Sequence, residues 1–259
     1  MRIQQAQALL RLTPAHFRAR MPLCAMCVRY VLHRPDAAFA AVAEALGIRL
    51  DPGDWMKSPR YNVAPSQVAP VVQADEGAAR LRPMRWGLIP PADRNLARKR
   101  ALTNARVETI AVIPAFRDAA AARRCLVPVN GYYEFRDMGR RKQPYVFMRP
   151  DGVPFALAGL WEPELDGLQP SFCVVTTEPN AAMAEIHDRM PLVLTGPAMG
   201  LWLGEKPLEA AALRQIARSP APDLLVARQV NAYVNNSRHE GPQCLAPPDA
   251  EPPELDFNA

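Results

Sequence analysis

The sequence predicts an α+β fold in one domain, organised around a sheet or barrel-like core. Three observations predict it. The chain has 259 residues, of which 49% are hydrophobic and 22% charged. Short strand-like and helix-like segments alternate through its first half, and a strand-dense block fills the middle. This length suits one large domain or two small ones, and the apolar share supports a sizeable core. No run approaches the roughly 18 apolar residues that a membrane-spanning helix needs, so a soluble, cytoplasmic protein is expected. The five cysteines (Cys24, Cys27, Cys125, Cys173, Cys244) are odd in number and irregularly spaced. Cys24 and Cys27 have CxxC spacing but no second pair, which points to a reducing compartment without a disulfide framework. No nucleotide, metal or organic cofactor motif is present.

The elements follow in order. Val28 to Leu32 reads as a strand, 37–46 as a helix, and Ala69 to Gln73 as a second strand. Leu81 to Trp86 is a third, ended by Gly87 and the Pro90-Pro91 pair. Residues 97–124 are rich in Ala and Arg and predict short helices around Asn104 and Pro114. Five strands are then expected: Cys125 to Val129, Tyr132 to Arg136, Pro144 to Met148, Phe155 to Trp161, and Phe172 to Thr177. Their apolar, β-branched and aromatic residues favour a sheet. Asn180 to Ile186 reads as a helix with Asn180 as its N-cap after Pro179. Met199 to Leu203 and Leu208 to Arg218 are further helices. From Gly241 the prolines and acids predict a loosely attached tail, so the expected domain runs over 26–245 with a flexible end at 246–259.

Charge is unevenly placed. Of the net +5, residues 1–25 supply +4 (Arg2, Arg11, Arg18 and Arg20, with no acid), which leaves +1 for the rest. Between Arg94 and Lys142 twelve basic residues face four acids, whereas eight acids follow from Glu205. A basic middle on a nearly neutral chain suits a localised phosphate-binding face, or simply a solvated surface. The first 25 residues read as a leader or a mis-assigned start. We favour translation from Met26, because Cys27 is small enough for the initiator methionine to be removed.

Four polar spots carry chemistry. An N-terminal Cys27 would hold an amine with a reference pKa near 8 and a thiol near 8.5 on one residue. Such a pair condenses with an aldehyde to an imine and closes a five-membered thiazolidine, since the second nucleophile is already in place. As an internal residue Cys27 would be an ordinary strand cysteine. Asn104 can donate and accept hydrogen bonds at once, and Arg106 can grip a phosphate with its planar fork, unless both merely cap and solvate. In Gly131-Tyr132-Tyr133-Glu134-Phe135, alternation puts Tyr132, Glu134 and Arg136 on one face and Tyr133 and Phe135 on the other. Glu134 among aromatics is either a desolvated acid/base group or a partner of Arg136. His187, followed by Asp188, can exchange a proton near neutral pH or serve the core.

Taken together, the words Met26-Cys27-x-Arg29, Tyr61-Asn62-Val63-Ala64-Pro65, Arg85-Trp86-Gly87-Leu88-Ile89-Pro90 and Asn104-Ala105-Arg106-x-Glu108 resemble the SRAP family of abasic-site processing proteins. The likeness continues through Pro114-Ala115-Phe116-Arg117, Arg124-Cys125-Leu126-Val127-Pro128, Gly131-Tyr132-Tyr133-Glu134-Phe135, Lys142-Gln143-Pro144-Tyr145 and Ile186-His187-Asp188-Arg189-Met190-Pro191. It implies a compact domain around a twisted, barrel-like mixed sheet with peripheral helices and a basic groove for single-stranded DNA. It also implies that Cys27 forms a thiazolidine with a ring-opened abasic site, that Asn104 positions sugar and amine, and that Glu134 is the acid/base group. His187 would transfer protons in release and strand cleavage. Arg29, Arg106 and Arg189 would contact phosphates, and Trp86 would stack on a base. Val28 stands where the family pattern prefers glycine. The competing functions are a thiol autopeptidase cutting at Met26-Cys27 and a non-catalytic single-stranded DNA-binding module.

Overall fold

The computed structural model describes residues 29–53, 56–75, 78–91, 101–165, 167–204, 207–218 and 220–249. Cys27, Val28, the segment 1–25 and the end from 250 lie outside the described residues. In chain order the elements are β1 (Arg29–Leu32), α1 (Pro35–Leu46), β2 (Arg60–Val63), β3 (Val68–Asp75), β4 (Ala78–Trp86) and β5 (Asn104–Arg106). Next come α2 (Pro114–Ala122), β6 (Arg124–Val129), β7 (Gly131–Asp137), β8 (Lys142–Met148), β9 (Phe155–Glu162) and β10 (Ser171–Thr177). The chain continues with α3 (Ala181–Ala184), β11 (Met190–Pro191), β12 (Val193–Leu194), α4 (Pro197–Leu203), α5 (Ala210–Ile216) and β13 (Val226–Gln229). Two 3-10 turns follow, Ala232–Asn235 and Pro242–Leu245.

Five strands close into a ring in the order β4-β3-β6-β9-β10, because β10 pairs with β9 along one edge and with β4 along the other. Where β4 ends, β5 takes its place beside β10: Arg85 and Trp86 lie opposite Ser171 and Phe172, then Asn104 to Arg106 opposite Val174 to Thr176. Every residue of β6 and β10 is buried. A closed ring has no free edge, and strands covered on both faces read as continuous apolar runs. Gly159 lets β9 lie tightly between them, since a Cβ there would meet Cys125 Sγ at 2.7 Å and the Cys173 carbonyl at 3.1 Å. The barrel-like core is thus present as expected.

A second sheet, all antiparallel, runs β13-β8-β7-β1-β2. Strand alternation divides it cleanly. Tyr30, Leu32, Tyr132 and Phe147 face the main core, whereas Val31, Tyr133 and Val146 join Val230, Val234 and Cys244 in a separate apolar cluster. The cover over that outer face is the C-terminal segment, which corrects the expectation of a loose tail from Gly241: Cys244 is fully buried there. Helix α1 begins with Pro35, ends at a left-handed Gly47, and buries Pro35, Ala38, Phe39 and Val42 at helical spacing.

Residues around Asn104 form a strand, not the expected helix. Free backbone edge on β10 beyond the end of β4 outweighs the modest helix preference of Ala and Arg. The buried Arg124 belongs to the architecture as well. It donates to the carbonyls of Ala120 and Ala121 at the end of α2 and of Trp202 and Gly204 at the end of α4, where helix dipoles favour a cation.

Candidate functional site

The candidate residues lie on β7 of the second sheet, on β5 at the edge of the barrel and in the loop after α3, and Tyr30 of β1 against Trp86 of β4 makes the seam between the two sheets. Cys27, the expected nucleophile, is outside the described residues. In sequence it precedes β1 by two residues, and Arg29 of β1 is opposite Tyr133, next to Glu134. Glu134 is only 1% exposed. Alternation puts it on the same face as Tyr132, whose ring stacks on Phe147 at 5.1 Å. Glu134 is therefore buried on the face of β7 that carries Tyr132 toward the main core. Tyr133 and Phe135 point to the other side.

Asn104 and Arg106 share one face of β5, with Ala105 buried between them. Arg106 is exposed and Asn104 half-buried. Their strand is held by Trp86, whose Nε1 donates to the Thr103 carbonyl at 2.9 Å. Thr103 Oγ1 in turn accepts from Asn104 Nδ2 at 3.3 Å. Trp86 is 1% exposed, with Phe172 6.0 Å away on one side and Tyr30 of β1 at 5.3 Å. This corrects the expectation that Trp86 stacks on a base. Its ring is in the core, where it joins β1 to the segment before Asn104. Gly87, at φ 132°, completes the turn, since a Cβ would come 2.7 Å from that of Ala101.

His187 follows α3, whose Asn180 caps it as expected by accepting from the Met183 amide at 3.0 Å. The imidazole is 6% exposed. Nδ1 accepts the Arg189 amide at 3.1 Å and lies 3.0 Å from Asp188 Oδ1. With Nδ1 accepting, the neutral ring carries its proton on Nε2. Nε2 is buried and has no hydrogen-bond partner among the described residues. Burial lowers the His187 pKa below its ordinary 6.5; Asp188 opposes that shift and Lys142 adds to it. Lys142 is at the start of β8, the strand paired with the β7 that carries Glu134. The β7–β8 hairpin exposes Arg136, Arg140, Arg141 and Lys142.

Arg29 and Arg189, both expected on phosphates, are engaged within the protein. Arg189 grips Glu108 with two hydrogen bonds of 2.9 Å and also donates to the Thr176 carbonyl. Arg29 donates to Asn62 Oδ1 at 3.0 Å and to the carbonyls of Val234 and Asn235. Asn62, fully buried, is the centre of a clasp the sequence had not assigned a role. Its Nδ2 donates to the carbonyls of Val234, Asn236 and His239, while the Glu240 carboxylate accepts from the amides of Tyr61 and Asn62. Tyr133 adds a bond to the Tyr61 carbonyl at 2.8 Å. The one available signal was the word Tyr61-Asn62-Val63-Ala64-Pro65. Nothing in Glu240 alone marks it.

The described cysteines are poor nucleophiles. Cys125, Cys173 and Cys244 are buried, and burial pushes their thiols up, the latter two to about 12. Among the described residues no group of three His, Cys, Asp or Glu side chains could hold a metal, and no helix is long and apolar enough to cross a membrane.

Comparison with known proteins gives the family and supports the fold. The family model for SOS response associated peptidase (SRAP) matches residues 26–237. A Bacillus subtilis protein named abasic site processing protein YoqW is 33% identical over 227 residues, covering 85% of this chain and 99% of the relative. Escherichia coli abasic site processing protein YedK is 28% identical over 227 residues, covering 86% and 100%. A crystal structure of a Bacteroides thetaiotaomicron protein superposes with a TM-score of 0.72 at 26% identity, over 85% of this chain and 99% of that one. By the span of the family match and the identity to these relatives, the chain belongs to the SRAP family.

Proposed function

We propose that this protein processes abasic sites in single-stranded DNA and captures them covalently through Cys27 as the N-terminal residue. The observation that carries the reading is the seam itself. Glu134 is buried on β7, the strand beside β1, whose upstream neighbour in sequence is Cys27. Asn104 is on β5, whose preceding residue Thr103 is held by Trp86 against Tyr30 of β1, and His187, with an unpartnered Nε2, is in the loop after α3. The names of the relatives supply the substrate class.

The chemistry balances without a cofactor. The Cys27 amine adds to the aldehyde of the ring-opened sugar and expels water, giving an imine. The thiol then adds to the imine carbon, its proton goes to nitrogen, and a thiazolidine closes. Glu134 moves protons in ring opening and closure. His187 acts afterwards, in release and strand cleavage, where a neutral ring can both give and take a proton. The exposed Arg106 and the basic β7–β8 hairpin receive backbone phosphates, so binding should weaken as salt rises.

The decisive measurement is the intact mass of a chain beginning at Cys27 after mixing with an abasic single-stranded oligonucleotide. A stoichiometric adduct is expected. Glu134→Gln should slow its formation by about 10²–10⁴-fold at unchanged DNA affinity. Tight binding with no adduct in any form would leave only the binding-module reading. The family's description as a peptidase favours a second reading, in which Cys27 cuts the bond before it. Loss of residues 1–26 from the purified full chain in the absence of DNA would support that activity.

A further inference from the structure

Glu108 is two residues beyond Arg106, and the Val107 amide between them donates to the Thr176 carbonyl at 2.9 Å. Thr176 is thus the meeting point of three segments. Arg106 lies opposite it on one side, Pro191 on the other, and the Arg189 guanidinium reaches the same carbonyl at 2.9 Å. The Arg189 side chain is 11% exposed and Glu108 42% exposed. A guanidinium this far from water needs its counter-charge, and Glu108 fills both prongs of its fork with bonds of 2.9 Å. The backbone amide of the same Arg189 donates to His187 Nδ1 at 3.1 Å. One residue therefore anchors the loop by its side chain and orients the imidazole by its main chain.

We propose that Glu108 is a positioning residue for His187: by clamping the Arg189 guanidinium it fixes the Arg189 amide on Nδ1 and keeps the ring proton on Nε2. This rests on the proton-transfer role given to His187 above. The groups that face the imidazole are Asp188 from its own loop, Lys142 from β8, and Arg189 with Glu108 behind it. Asp188 competes directly. Its carboxylate, 3.0 Å from Nδ1, stabilises the opposite tautomer, with the proton on Nδ1. When the clamp is released, the amide leaves Nδ1 and Asp188 wins. The Nε2 proton is then lost to the reaction.

The test is ring-labelled histidine NMR on the full chain, read together with separate rates for adduct formation and for adduct release. In the wild type the neutral His187 should carry its proton on Nε2. Glu108→Gln keeps the volume but loses the charge; it should mix the tautomers and slow release by about 10- to 100-fold, while adduct formation stays within about twofold. Glu108→Asp, which keeps the charge, should recover most of both signals. A folded Glu108→Gln protein with the wild-type tautomer and wild-type release would overturn the proposal. A change confined to DNA affinity would overturn it as well, and would make Glu108 a modulator of phosphate binding instead. If the wild type forms no adduct at all, the capture mechanism fails, yet the tautomer comparison still decides what Glu108 does.

Discussion

The barrel and the outer face of the five-stranded sheet are closed by different means. On the two faces of the barrel wall, apolar side chains such as Leu126, Val127, Phe155 and Phe172 fill the space, and any similar shape would serve. On the outer face the small apolar cluster is sealed by a polar hub, in which Asn62, Arg29, Glu240 and Tyr133 bind backbone groups of two distant segments. Packing is tolerant because dispersion is non-directional, whereas a buried hydrogen-bond hub is not, since each lost partner strands another. The two regions should therefore answer substitution differently.

The largest expected effect is at the hub. Asn62→Leu keeps the volume but leaves three carbonyls and the Arg29 guanidinium short of a partner. A loss of about 3 kcal/mol or more in urea unfolding should follow, with faster hydrogen exchange over 232–245. A loss under 1 kcal/mol would mean that the apolar cluster holds the segment alone. Gly159→Ala should cost about 1–3 kcal/mol, because its Cβ would press on Cys125 Sγ. Combining it with Cys125→Ala should restore part of that loss, which would sharpen the idea that the barrel wall is limited by shape. Leu126→Met, in the same wall, should cost less than about 1.5 kcal/mol. If it matched Asn62→Leu, the contrast between the regions would collapse.

The smallest effect concerns pH at the seam. Burial lowers the folded-state pKa of His187 below 6.5, so the unfolded chain takes up its proton first as pH falls. The neutral ring's contribution to stability is complete above about pH 6.5 and declines below it, until the folded ring also titrates. Midpoints of denaturation for wild type and His187→Gln should converge as pH drops through that window. By the same sign, any step in the free protein that needs a neutral imidazole should persist to more acidic pH than a solvent-exposed histidine would allow. A pH–rate profile with its acid limb at or above 6.5 would contradict the burial.

Most of the barrel was legible in the sequence, for a physical reason. Strands buried on both sides, such as β6 and β10, are mostly apolar, with polar residues only toward their ends (Arg124, Ser171, Thr176 and Thr177), and β7 betrays its two faces through Tyr132 and Tyr133. The short or polar strands were not. In β2 the residues Arg60 to Asn62 look like loop, and β11 and β12 are only two residues each. For β5, pairing with β10 decides, and no local signal announces it. Among the site residues, the burial of Glu134 and the N-cap by Asn180 before His187 could be read directly. The roles of Trp86, Arg29 and Arg189 could not. A large aromatic or an arginine in a recognisable word advertises chemistry, but its partners lie in distant segments: Thr103, Val234 and Glu108.

The clasp also sets a schedule. The bond from Arg29 to the Val234 carbonyl joins residues 205 apart. A ribosome adding about 5–20 residues per second therefore needs roughly 10–40 s between making the two partners. During that interval β1 exists without the segment that will hold its first arginine. If Cys27 is the reactive residue, the nascent chain carries it long before the segment that holds Arg29 is made. A chain stalled short of Glu240 would lack the lock on β1 and β2.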